Sequence, residues 1–156
     1  MSHLMARPLT GDRIIQAFAL VQELYPDLSL SDWRRIADPG NKGGGAEVMS
    51  LQTAGGSIHA VFVCRQGDDL LLGRMMLVDP VIVYDLPGRG EALHALVRVV
   101  EQMARDRHCS AIDITLLRNS RSSSHSQQYQ AQKLCDVGYF EHGLRMRRSI
   151  AALSPT

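Results

Sequence analysis

The sequence predicts an α+β fold, with helices packed on a mixed, mostly antiparallel sheet. Three observations carry that expectation. Apolar residues recur at helical spacing over 12–25, at two-residue spacing over 46–84, and at helical spacing again from Gly90 to Asp106; these periods mark amphipathic helices and strands. Three strand candidates follow one another across short turns, which is the pattern of antiparallel hairpins. One strand–helix–strand crossover, 74–84 to 90–106 to 111–117, implies a parallel pair. The 156 residues fit one domain spanning 1–156, with residues 1–4 read as a remnant ahead of a native start at Met5.

Taken in order, "LMARPL" (4–9) is a short strand, β1, ending at Pro8. Gly11-Asp12 breaks the chain, and the Asp12 carboxylate is expected to cap the next helix by accepting first-turn amides. Ile14, Ala17, Phe18, Val21 and Leu24 share one face of that helix, α1 (12–25), which Pro26 stops. "SLSD" (29–32) resembles a capping box and opens α2, running through Trp33, Ile36 and Ala37. Residues 38–45, "DPGNKGGG", are a loop, being dense in residues that break both periods.

"AEVMSLQT" (46–53) is β2 and "SIHAVFVCR" (57–65) is β3, apolar on both faces and therefore central. "QGDD" (66–69) is expected to turn the chain into β4, "RMMLVDPVIVY" (74–84). Pro80 stands in the middle of β4, where it removes a ladder donor, so a bulge or a parting from a neighbour is expected there. The helix α3 (90–106) has Ala92, Leu93, Leu96, Val97, Val100, Met103 and Ala104 on one stripe, and Glu101 four residues before Arg105 on the other. "AIDITLL" (111–117) is β5. "RNSRSSSHSQQ" (118–128) is a polar loop, followed by a helix, α4, over "QYQAQKLCDV" (128–137) with Gly138 as its C-cap. "YFEHGLRMRRSI" (139–150) closes the chain as a hairpin of two strands, β6 and β7.

The bulk properties exclude several roles. The formal charge of +1 gives no overall attraction to nucleic acid or to an anionic membrane. No apolar run approaches the ~18 residues of a membrane span, and "MSHLMARPL" (1–9) has no apolar signal-peptide core, so a cytoplasmic protein is expected. Cys64, Cys109 and Cys135 are an odd number without paired spacing, and the six histidines are scattered. Neither a disulfide framework nor a metal site is expected.

The stretch "YDLPGRGEAL" (84–93) has two readings. One is a tight strand-to-helix turn. The other is an anion cradle, in which a glycine-rich turn brings several amides to a helix N-terminus carrying ~0.5 of a positive charge. Taken with the element order, 73–116 resembles the strand, pyrophosphate turn, helix and strand of the GNAT superfamily of acetyl-CoA-dependent N-acetyltransferases. "KLCDVGYF" (133–140) is similar to the end of that family's fourth helix. The family order is β1-α1-α2-β2-β3-β4-α3-β5-α4-β6-β7, matching the order above.

The resemblance implies acetyl transfer from acetyl-CoA to a primary amine of a small molecule or peptide, by direct attack of the amine on the thioester. It implies that the backbones of Ile82 and Val83 hold the pantetheine and acetyl groups. Gly88, Arg89, Gly90, Glu91 and Ala92 would surround the pyrophosphate, Asp79 would be the general base or ammonium anchor, and Tyr129 the general acid. Asp79 has a second reading, as a carboxylate bonded to backbone near Pro80. The chain also departs from the family: Pro87 lacks an amide where a donor is usual. Leu134, four residues before Gly138, stands where many members carry a tyrosine. A non-catalytic acyl-CoA-binding or regulatory module is therefore one alternative, and a structural interaction domain that dimerises through its C-terminal strands is another; a homodimer is among the expected partners.

Overall fold

In the computed structural model of the chain, the described residues are 3–38, 45–84, 90–116, 124–143, 146 and 148. Five strands form one sheet in the order β1-β2-β3-β4-β5: β1 (Met5–Pro8), β2 (Glu47–Gln52), β3 (Ile58–Asp69), β4 (Gly73–Val83) and β5 (Ala111–Ile114). The first three pairings are antiparallel and β4–β5 is parallel, as the crossover requires. Four helices accompany them: α1 (Asp12–Leu24), α2 (Leu30–Ala37), α3 (Glu91–Asp106) and α4 (Ser124–Asp136).

The sheet separates two apolar layers. On one face Ala17 and Val21 of α1 and Trp33 and Ala37 of α2 pack with Leu9, Val61 and Ile82. On the other, Ala95, Leu96 and Val100 of α3 pack with Phe62, Cys64, Met76, Val78 and Val81. A smaller cluster joins Leu93 and Val97 to Leu134 of α4. These burials follow the two periods in the sequence and supply the main driving force for folding.

Helix ends follow local chemistry. Ser29 caps α2 by accepting from the Asp32 amide at 3.1 Å, the first half of a capping box, while the Asp32 carboxylate accepts from the Ser29 hydroxyl in place of the Ser29 amide. At α1 the cap is Gly11, with no side-chain cap bond. The expected role of Asp12 is thus corrected: it is the first helical residue, where its charge suits the helix dipole instead. α4 ends at a Schellman turn, Tyr139 N–H donating to Leu134 and Gly138 N–H to Cys135, with Gly138 at φ 100°. The same two bonds close α3, from Cys109 to Ala104 and from His108 to Arg105, but there a histidine holds the left-handed position at φ 56°.

Several boundaries differ from expectation, among them β5, which ends at Ile114 and does not run on through Thr115 and Leu116. β3 continues through Gln66–Asp69, which pair with Met76–Gly73, and the chain turns at Leu70–Leu72. The cause is Asp69, whose carboxylate accepts from the amides of Leu71 and Leu72 at 2.8 and 2.9 Å. α4 begins at Ser124, inside the segment expected to be loop. Of the expected hairpin over 139–150, residues 139–143, 146 and 148 carry no strand and the remainder lies outside the described residues, so among the described residues the sheet has five strands.

Candidate functional site

The site is built by one irregularity in β4. Phe62 of β3 faces Val81 and Cys64 faces Val78, so Asp79 and Pro80 together oppose the single residue Val63. This is a β-bulge, at the proline where a disturbance was expected. The Asp79–Pro80 peptide bond is cis. The extra residue shifts the alternation, so that Val78 and Val81 both face α3 while Ile82 faces α1 and α2.

The parallel pairing with β5 stops at the same place. Its last register pair is Val78 with Ile114, followed by the Thr115 amide donating to Val78 at 3.0 Å. From Val81 to Val83, β4 has only β3 as a described neighbour. The Tyr84 amide donates to His59, which fixes the alternation of the antiparallel ladder: the main-chain groups of Ile82 turn to Val61, and those of Val81 and Val83 turn to the β5 side. Of the two residues expected to offer backbone to a linear ligand, Val83 directs its main-chain groups to that side, together with Val81, while Ile82 directs its own to β3. The direction of Val81 is not readable from the sequence, because the bulge that sets it is an event of pairing, not of composition.

Beyond β4 the chain enters α3 at Gly90, which is buried and left-handed at φ 60°. Because β4 and β5 run parallel, the N-terminus of α3 lies at the end of the sheet where the two strands part. Glu91 is exposed in the first turn, whereas Ala92 is buried, so the acidic side chain points to solvent. A Cβ added at Gly90 would lie 3.1 Å from the Tyr129 hydroxyl and 3.8 Å from Cδ2 of His94. Tyr129 is thereby brought from α4 to the head of α3, with Lys133 Nζ 5.4 Å from its ring centroid. His94 and Lys133 were not singled out in the sequence. Each stands one helical turn from a residue that was, His94 after Gly90 and Lys133 after Tyr129, and that spacing was the available signal. Gly88, Arg89 and Pro87 lie outside the described residues.

Asp79 is half-buried at the bulge, one residue past the end of the β4–β5 pairing. Leu134 is buried, 6% exposed, against Leu93 and Val97, a core position from which no proton can be donated. Tyr139 packs on the same cluster. Its hydroxyl is buried without a hydrogen-bond partner, and burial, aided by the charge of Glu101, pushes it up to about 12. Cys64, fully buried among β2–β4, is pushed up to about 12 by burial, and stays a protonated core thiol at neutral pH.

Two surface hollows complete the picture. One, of about 400 Å³, is lined by Tyr25, Pro26, Asp27 and Leu28 in the connection between α1 and α2. The other, of about 340 Å³, lies between the start of α1 and the end of α2, with Asp12, Arg34 and Asp38 on its walls; neither α3 nor α4 lines it. No described helix is long and apolar enough to cross a membrane.

No protein-family profile matches the sequence, and no curated protein matches it. Solved structures do. An aminoglycoside N-acetyltransferase, solved in complex with CoA, superposes with a TM-score of 0.69 at 14% identity, over 96% of this chain and 97% of that one. A GNAT family acetyltransferase from Staphylococcus aureus gives a TM-score of 0.66 at 12% identity, over 96% and 100%. A transcriptional regulator from Bacillus halodurans gives 0.65 at 17% identity, over 94% and 100%. With the strand order, the parted β4–β5 pair and the α3 crossover already established, these likenesses fix the architecture: the chain has the GNAT fold.

Proposed function

We propose that this chain is a single-domain, cytoplasmic acyltransferase that moves acetyl from acetyl-CoA to a primary amine of a small molecule or peptide, by direct attack of the amine. One observation carries the reading: β4 and β5 part at the Asp79–Pro80 bulge, leaving the main-chain groups of Val81 and Val83 directed to the opening. A pantetheine arm is a chain of amides, and an open strand edge matches it as another strand would. At the near end of that opening stands Gly90, where an added Cβ would come within 3.1 Å of the Tyr129 hydroxyl. Gly88, Arg89, Gly90, Glu91 and Ala92 would meet the pyrophosphate, with the dipole of α3 behind them.

Acetyl-CoA would supply an activated thioester, and the residues of this chain would orient it and manage protons. Asp79, beside the opening, would take the ammonium proton of the acceptor or hold the ammonium in place. Tyr129 would donate to the departing thiolate. Val83 and Val81 would fix the carbonyl end of the arm, which supports a reaction governed by orientation. The hollow at Tyr25–Leu28 carries Asp27, whose carboxylate favours a cationic acceptor, and the aminoglycoside specificity of one structural neighbour is in line with that choice.

Calorimetry with CoA at millimolar concentration is the first test, and measurable binding heat is expected. Its absence would sink any cofactor-dependent reading. Thiol release with a panel of amines follows, with release expected for cationic small amines. Binding without release on any amine would instead favour the second reading, a non-catalytic acyl-CoA-binding or regulatory module. Two observations favour that alternative: the buried Leu134 at the usual tyrosine position and the regulator among the structural neighbours.

A further inference from the structure

The β3–β4 hairpin projects from the sheet at the end of β4 away from the opening, and nothing in the proposed chemistry uses it. β2 pairs with β3 only as far as Glu47 opposite Cys64. From Arg65 to Asp69, β3 is bonded to β4 alone, and among the described residues no strand covers its outer edge. Such an edge is a template for another strand. The hairpin ends in Leu70, Leu71 and Leu72, exposed by 105%, 94% and 50%. The Asp69 carboxylate accepts from two amides of that turn, so the leucines are presented by a fixed turn.

We propose that a second copy of this chain occupies this edge, β3 against β3, antiparallel and two-fold symmetric about Gly67. The segment Arg65-Gln66-Gly67-Asp68-Asp69 is complementary to itself in that arrangement. With Gly67 on the axis, Arg65 stands opposite the partner's Asp69, and Asp69 opposite the partner's Arg65. Gln66 stands opposite the partner's Asp68. Opposite charges facing across an antiparallel pair stabilise it, and like charges do the reverse. Gly67 places no side chain on the axis, where two identical ones would otherwise meet.

The area is of the right order. The three leucines expose roughly 400 Å² of apolar surface, about half of the ~800 Å² that each partner contributes to a standard interface. The paired edge supplies further area. Asp68 and Asp69 beside the leucines disfavour an anionic membrane surface as the occupant. The symmetric contact lies at the Gly73 end of β4, so both openings at the Val83 end stay accessible. The proposal stands independently of the acetyltransferase reading.

Sedimentation velocity on the full chain, from about 1 to about 300 µM, is expected to show a concentration-dependent monomer–dimer equilibrium. Arg65→Glu sets acid against acid twice, and Asp69→Arg sets base against base twice. Each alone is expected to weaken the dimer at least about tenfold. An equimolar mixture of the two variants restores opposite charges at both positions, and the mixed dimer is expected to return. Because Asp69→Arg also removes the acceptor of the turn, its fold is checked by circular dichroism. Leu71→Ser, at an exposed position outside every core cluster, is expected to weaken self-association on its own. A wild type monomeric throughout, or an R65E variant that dimerises as the wild type does, would overturn the proposal. So would two folded variants that fail to rescue each other, or capture of a monomeric wild type on phosphatidylserine vesicles.

Discussion

The two halves of β4 have nearly the same chemistry and different pairing. Gly73–Val78 is bonded to β3 on one side and, from Met75, to β5 on the other. Val81–Val83 is equally apolar and lies against the same layers, yet has a described partner on one side only. What separates them is one extra residue at Asp79–Pro80 and the end of β5 at Ile114. Apolar composition therefore decides which residues are buried, while the ladder decides which backbone groups remain for a ligand. The ends of α3 repeat the contrast. Gly90 and His108 are both left-handed, but the first is buried beside Tyr129 and the second is exposed.

The sharpest way to break the comparison is Gly90→Glu. A side chain there meets the Tyr129 hydroxyl and brings negative charge to the head of α3, so CoA affinity is expected to fall at least about 100-fold in calorimetry, at a cost of about 1–2 kcal/mol in stability from the left-handed backbone. Unchanged affinity would place the cofactor elsewhere. Phe62→Ala acts on the closed side: Phe62 is fully buried opposite Val81, and denaturant unfolding should show a loss of about 3–5 kcal/mol. A loss below ~1 kcal/mol would mean that the layer under the bulge is not close-packed.

Hydrogen exchange sharpens the same contrast without mutation. The amides of Val81 and Val83 are expected to exchange about tenfold or more faster than those of Met76 and Val78, and to slow when CoA is added. At the far end of α3, His108→Gly relieves a left-handed histidine, and a gain of about 0.5–1 kcal/mol in unfolding free energy is expected. The smallest effect is a pH dependence at the hairpin tip. Hydrogen bonds from the Leu72 and Leu71 amides hold the Asp69 carboxyl below its ordinary value. The turn is therefore fully supported above the usual carboxylate range and loses that support as pH falls through the lowered value. Intrinsic-rate-corrected exchange at Leu71 and Leu72 should accelerate in that acidic window and nowhere else.

Much of the architecture was legible because it rests on periodicity. The amphipathic stripe of α3, the central character of β3 and β4, and the capping box of α2 all depend on spacings that the chain displays directly. Pro80 announced a disturbance, since a missing donor has to be accommodated somewhere. What periodicity could not reveal were effects of particular hydrogen bonds. The turn at Leu70–Leu72 is all leucine, without the glycine or proline that marks a turn, and the Asp69 carboxylate holds it by accepting from two of its amides. The polar residues Ser124–Gln127 read as loop, yet α4 runs through them. Tyr129 could be reached by counting back from Gly138, whereas Val81 could not. Its direction depends on a residue inserted two positions earlier and on the phase of a neighbouring strand.

That phase has a further consequence. Alternation along a strand counts residues and ignores their identity, and β4 carries one residue more than β3 does at the bulge. Excising Pro80 alone would set Asp79 opposite Val63 and leave Val81 opposite Phe62, so the faces beyond it and the outward direction of Val81 and Val83 would survive. Excising Asp79 with it would set Val81 opposite Val63 and reverse every face beyond. The carbonyls and amides now directed outward would then be absorbed into the ladder with β3, sealing the crevice from within.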